Sequence, residues 1–211
     1  MTNGQEVKVP GVSLETQPIF ERTPKGQFNG IVRFGLVTSH IYNDDFGGFN
    51  KLGGTVGVGT FTQISRNWKA QFEIDYAMRG SRKRPTKKDP STYRIEPHYI
   101  DIPILFKTNF WILEAELGVN NGIYLFHIEA DEFGRILPGG YGWRFNRYEL
   151  AGLLGVSAPL GEKWVTNARF HYSILPAAGR SFAVVGGRFI TGGAYNNAVT
   201  FSLHRLLILK S

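Results

Sequence analysis

The chain has no cysteine among its 211 residues, so neither disulfides nor thiolate chemistry can contribute to its fold or activity. It also lacks any long apolar run. The roughly 18 to 20 consecutive apolar residues of a spanning helix never occur, which removes the helical inner-membrane class. Nor does the start carry a basic n-region followed by an apolar h-region: Met1-Thr2-Asn3-Gly4-Gln5 leads into polar sequence. An exported protein with such a start reads as a mature chain, its signal peptide absent, beginning at an added Met1. A mean hydropathy of −0.16 fits a soluble protein. It fits a transmembrane barrel equally well, because every second strand residue of a barrel faces a polar interior.

What the chain does contain is alternation. From Trp68 to Arg79, Trp68, Ala70, Phe72, Ile74, Tyr76 and Met78 fall on one face, and Lys69, Gln71, Glu73, Asp75 and Arg79 on the other. Such a segment is long enough to cross a bilayer as a tilted strand, which takes about 9 to 11 residues. Trp111–Asn120 and Trp164–Ile174 repeat the pattern. Each of the three opens on a Trp after a short polar or turn-like stretch, so Trp68, Trp111 and Trp164 form a girdle at one membrane interface, where an indole is buried while its N–H stays wet.

Further strands follow from the same period: one from about Gly30 to the loop at 42–51, one over 54–64, one over 99–107, one over 147–158 and one over 196–207. With 68–79, 111–124 and 164–174 the total is eight. Pro103 lies inside the fourth; a proline removes a ladder donor, so a bulge is expected near it. Phe61 interrupts the alternation of the second. Links after the second, fourth and sixth strands are short and the others longer, as in outer-membrane barrels with short periplasmic turns and longer extracellular loops. The fold class read here is an all-β, eight-stranded antiparallel up-and-down transmembrane β-barrel over 29–211. Residues 1–28, with Pro10, Pro18 and Pro24, precede it as an extended periplasmic arm. Tyr42, Tyr76, Tyr124, Tyr148 and Tyr172 sit at the opposite strand ends as an outer belt.

The inward face then receives Arg33, Lys69, Glu73, Asp75, Asp101, Lys107, Glu114, Glu116, Glu149 and Arg169, with Arg79 near the rim. Eight strands enclose only enough room for side chains, so these charges are expected to pair in a closed network rather than line a pore. Inward glycines Gly35, Gly57, Gly59, Gly118 and Gly155 give the long side chains space. No metal-ligand spacing is seen among His40, His98, His127, His171 and His204; only His171 is clearly inward. No catalytic set, metal or cofactor is expected. The best enzymatic alternative is a rim group of Ser39, His40, Asp44 and Asp45. Arg82, Lys83, Arg84, Lys87 and Lys88 form a basic extracellular loop facing lipid headgroups or an acidic partner rather than nucleic acid. A soluble lipocalin-like barrel would place its apolar face inside, against the inward charges and the Trp girdle.

Three segments carry a family likeness. Glu73-Ile74-Asp75-Tyr76-Ala77-Met78-Arg79-Gly80, Tyr99-Ile100-Asp101-Ile102-Pro103-Ile104-Leu105-Phe106-Lys107 and Glu114-Ala115-Glu116-Leu117-Gly118 together resemble the PorT-like outer-membrane β-barrel proteins of the Bacteroidota. The resemblance spans about residues 29–207, with Asp101 at the family's acidic position and Pro103 as a family feature. It implies an outer-membrane location and, for some members, a part in type IX secretion and gliding. The expected function is therefore a non-enzymatic outer-membrane component acting through outer-membrane lipid and protein partners in an envelope or secretion complex. The alternative is a lipid-modifying or proteolytic barrel enzyme. The C-terminal Leu207-Ile208-Leu209-Lys210-Ser211 departs from the terminal aromatic usual in barrel proteins.

Overall fold

A computed structural model describes residues 25–42, 46, 48–136, 143–179 and 193–208. Its strands are β1 (Phe28–Tyr42), β2 (Lys51–Gln63), β3 (Trp68–Met78), β4 (Ser81–Lys83), β5 (Tyr93–Phe110) and β6 (Leu113–Asp131). After them come β7 (Gly134–Ile136), β8 (Arg144–Phe145), β9 (Tyr148–Pro159), β10 (Trp164–Ser173), β11 (Ala178–Gly179) and β12 (Tyr195–Leu207). Four of these are short. The eight long ones run β5-β3-β2-β1-β12-β10-β9-β6, and β6 pairs back onto β5, so the antiparallel sheet closes and has no free edge there.

Side-chain parity makes the barrel two-sided. Outward positions are large and apolar: Phe34 is 47 % exposed, Leu36 60 %, Leu117 65 % and Phe201 60 %. A contiguous apolar surface of that extent is what a lipid-facing wall requires and a soluble monomer avoids. Inward positions are buried and largely polar. Phe61 does not interrupt this order; it is buried with Ile31, Val165 and Leu206 in an apolar layer at the end of the bore that carries the short links 64–67, 111–112 and 160–163. At the other end Ile41, Ile95, Ala178 and Ala194 form a second apolar layer, with Tyr93, Trp143 and Phe145 packed on it. The bore is thus polar in the middle and apolar at both mouths.

Several expectations need correction. Strand β5 begins at Tyr93 and β6 runs on to Asp131, so 80–97 is not simply a loop. It contains β4, and β4, β5, β6 and β7 continue above the barrel as a four-stranded fin. The bulge lies between His98 and Tyr99, not at Pro103. Around Pro103 the β3–β5 ladder instead loses contact between Phe72↔Ile104 and Asp75↔Asp101 while keeping register, which accommodates the missing N–H without an extra residue. Trp111 belongs to the β5–β6 turn, at a φ of 58° and 87 % exposed; a positive φ at the first position suits a two-residue hairpin, and the ring is thrust clear of the sheet. Tyr42, Tyr148 and Tyr172 are exposed at the upper strand ends, whereas Tyr76 and Tyr124 are half-buried against histidines. Of the 1–28 arm, residues 1–24 lie outside the described residues. Lys25 bridges Gln63, Gly26 N–H donates to the Gln63 carbonyl at 3.1 Å, and Phe28 already opens β1.

Candidate functional site

The polar middle of the bore is built from rows of residues across neighbouring strands. Arg33 on β1 and Asp75 on β3 both face Gly57 on β2. With no side chain between them, Arg33 Nη1 crosses the glycine to reach Asp75 Oδ2 at 2.5 Å and Glu73 Oε2 at 2.7 Å. Arg169 on β10 and Glu116 on β6 share Gly155 on β9 in the same way. Arg169 Nε meets Glu116 Oε1 at 2.6 Å across it, while Nη1 meets Glu73 Oε2 at 2.7 Å. A Cβ at Gly57 or Gly155 would collide with the Asp75 or the Glu116 carboxylate. These glycines are saddles over which arginines span a strand.

Lys107 continues the lattice to Glu116 at 3.0 Å, and Lys69 to Glu114 at 2.6 Å. Arg33, Lys69, Lys107 and Arg169 thus face Glu73, Asp75, Glu114 and Glu116, all nearly inaccessible to solvent. Above them a second set centres on Arg79, which is 2 % exposed and so lies inside the bore rather than at its rim. Its guanidinium meets Asp101 Oδ2 at 2.5 Å and Glu149 Oε2 at 3.1 Å, and lies 4.3 Å over the Tyr99 ring. Asp101 and Glu149 flank Gly122, a third saddle that the sequence reading did not single out. Glu149 also takes hydrogen bonds from Asn196 at 3.0 Å and from Ser173, and faces His171 Nε2 at 3.0 Å. Between the two sets a polar cavity of ≈ 30 Å³ touches Arg33, Asp75, Arg79, Asp101 and Arg169. That is room for a water or two. His204 too is inward, 1 % exposed and facing Ser202 Oγ at 2.9 Å.

A second polar constellation lies above the barrel under the fin. Tyr124 Oη stands 2.6 Å from His127 Nδ1, and His127 Nε2 is 3.1 Å from Glu129 Oε1. Tyr93 O–H and the backbone N–H of Trp143 donate to the two oxygens of the same carboxylate, at 3.0 and 2.9 Å. A neutral imidazole protonated on Nε2 satisfies this chain, accepting from tyrosine and donating to Glu129. The signal in the sequence is His127-x-Glu129, two residues apart on one side of a strand. Burial works to raise the Glu129 carboxyl, but the hydrogen bonds from His127, Trp143 and Tyr93 hold it below the usual carboxylate range. Because the folded value is depressed, its contribution is fully present above the ordinary value near 4.5 and is lost as pH falls through the folded one. Glu129→Ala should release the Trp143 backbone from the underside of the fin at neutral pH, at a cost of about 2 kcal/mol, seen as a red shift of the Trp143 fluorescence. In the unaltered chain the same shift should appear only in acid below the usual carboxylate range.

Of the rim group, Asp44 and Asp45 lie outside the described residues. Ser39 is buried and donates to the Gly80 carbonyl at 3.0 Å, while the adjacent His40 takes the opposite face of β1 and packs beside Phe49. The basic segment is only partly a loop. Arg82 and Lys83 lie in β4, and Lys83 is held by Asp89 at 2.6 Å and by Ser91. Asp89 is pulled down to about 2, chiefly by its hydrogen bonds from Lys83 and Ser91. Arg84, Lys87 and Lys88 are exposed. At the other end of the molecule Trp68 is 49 % exposed, and Trp164 packs edge-on to Phe34 with Arg205 over its ring.

Residues 23–178 match the family model described as outer membrane protein beta-barrel domain. The chain belongs to that family. It is an outer-membrane β-barrel, with short periplasmic turns and longer extracellular connections. Among solved structures it is similar to Neisserial surface protein A, at 12 % identity and a TM-score of 0.50 over 84 % of this chain and 96 % of that one. It is also similar to Ail, the attachment invasion locus protein of Yersinia pestis, at 12 % identity and 0.47 over 85 % and 98 %, and to OprG of Pseudomonas aeruginosa, at 12 % and 0.43 over 86 % and 96 %. At such identities the likeness is one of fold. No curated protein sequence matches the chain.

Proposed function

We propose that this barrel is a closed, non-enzymatic scaffold of the outer membrane that acts through its extramembrane surfaces on protein partners, as an accessory of an envelope or secretion machine. The observation that carries the reading is the bore. Its charges are cross-linked by ion pairs, and apolar layers close it at both ends. A conduit for solute needs a continuous wet path, and a catalytic cleft needs accessible reacting groups; neither fits such an interior. Work is then left to the loops and the fin, where a rigid scaffold ordinarily displays function. The PorT-like resemblance of 73–80, 99–107 and 114–118 supports a place in the type IX secretion and gliding apparatus of a Bacteroidota cell. The enzyme alternative has less behind it, since the Ser39 hydroxyl is buried against a backbone carbonyl and His40 points away from it.

Purified protein in planar bilayers should give no sustained unitary conductance, and the tagged chain recovered from native membranes should bring envelope subunits with it. Reproducible single-channel steps would turn the polar bore into a pathway. Recovery of the barrel alone, with export in the host unchanged on its deletion, would remove the accessory role.

A further inference from the structure

The fin carries a row of arginines that the linear sequence scatters. Arg82 on β4 pairs directly with Arg94 on β5, Arg94 with Ala130 on β6, and Ala130 with Arg135 on β7. Residues paired across strands share a face, so the three guanidinium groups leave one side of one sheet, and all three residues are exposed. Neighbouring strands are about 4.8 Å apart; the small Ala130 leaves a gap of two strand spacings between Arg94 and Arg135. Like charges directly opposite each other are unfavourable on their own, yet none of the three makes an ion pair among the described residues.

Carboxylates around the row are placed elsewhere. Glu96, two residues along on the same face, is held by Lys51 at 2.5 Å. Glu129 is bound under the fin by His127, Tyr93 and the Trp143 backbone, Asp89 by Lys83, and Glu132 in the β6–β7 turn makes no ion pair with the row among the described residues. The face itself continues the lipid-exposed wall. Descending β5 and β6 from Arg94, outward positions run through Phe126, 47 % exposed, to Ile104, Phe106, Leu117 and Val119. Arg94 stands six residues above Ile100, about 20 Å along the strand and about 15 Å in height at the usual barrel tilt. One surface therefore changes from apolar below Ile100, which is level with the belt residue Tyr148 across β6, to basic above it, with the ion-paired Glu96 and the buried His98 between.

We propose that Arg82, Arg94 and Arg135 form a docking site for the phosphate groups of an outer-leaflet glycolipid whose acyl chains lie against the wall below. The site rests on the outer-membrane reading but not on the accessory role. It leads to a test in which protein in neutral detergent is titrated with bisphosphorylated lipid A, with its dephosphorylated form, and with lipid A in the presence of inorganic phosphate or heparin. Binding is read by native mass spectrometry. Taking about fivefold per arginine near a charged lipid surface, R82Q/R94Q/R135Q should weaken lipid A binding roughly 100-fold. K87Q/K88Q, outside the row, should change it less than threefold. The dephosphorylated lipid should bind both proteins equally weakly, and millimolar phosphate should not displace lipid A. All variants alter only exposed side chains, and heat-modifiable gel mobility checks that each barrel has folded. Unchanged lipid A affinity in the folded triple variant would overturn the site. So would full displacement by free phosphate, which would make it a simple anion site, or tighter binding of heparin than of lipid A, which would make it a polysaccharide site.

Discussion

Arg169→Gln should destabilise the barrel by about 3 to 5 kcal/mol, the usual consequence of removing one partner of a buried ion pair. It is the expected weak point because Arg169 grips two carboxylates at once. Glu73 and Glu116 are both essentially inaccessible, and each takes two hydrogen bonds from its guanidinium. Without it the lower lattice holds Arg33, Lys69 and Lys107 against four carboxylates, and the surplus negative charge has no bulk water to reach.

The same lattice predicts its own rescue. If Glu73 is neutralised as well, the remaining groups fall into separate pairs at distances already present: Arg33 with Asp75 at 2.5 Å, Lys107 with Glu116 at 3.0 Å and Lys69 with Glu114 at 2.6 Å. R169Q/E73Q should therefore be more stable than R169Q, by about 2 kcal/mol, within the range of coupling expected for residues in one network. Urea titration of the folded barrel in lipid vesicles, read by tryptophan fluorescence, measures both. A double variant no better than the single one would mean that the lattice does not set stability through charge balance.

The strand plan was legible because a barrel wall between lipid and a polar interior forces period two on every strand. Even the alternation of short and long links could be read from spacing. What escaped the sequence depends on pairing between residues remote in the chain. That Gly57 separates Arg33 from Asp75, and Gly155 separates Arg169 from Glu116, follows from register across three strands, and no local pattern states it. The position of Arg79 at a strand end points to the rim, but Asp101 and Glu149 across Gly122 draw it inside. The apolar mouths escape the sequence because Phe61 reads locally as a break in alternation and Ile31, Val165 and Leu206 as isolated apolar residues, and only closure brings the four together. Past the membrane the sequence loses its lipid constraint, and so the extensions of β5 and β6 and the arginine row read as loop.

Phe72→Arg should cost about 2 to 4 kcal/mol, the depth-dependent penalty for a cation on the lipid face near mid-bilayer. Phe72 is 40 % exposed in the middle of β3, between Thr60 on one neighbouring strand and Ile104 on the other. Tyr172→Arg, at the upper end of β10 and 55 % exposed, meets the interface instead and should cost only about 0 to 1 kcal/mol. The contrast between equal substitutions at two depths separates a lipid wall from an exposed sheet in water, where both would be mild. Unfolding from vesicles gives the two values, and Phe72→Trp should gain quenching from brominated acyl chains. Parity couples this result to the rest of the molecule: with Phe72 in lipid, Glu73 must point into the bore, since shifting a strand by one residue exchanges its faces. A silent Phe72→Arg together with an unquenched Trp at that position would reverse β3, and the ion-pair lattice that depends on Glu73 and Asp75 would fall with it.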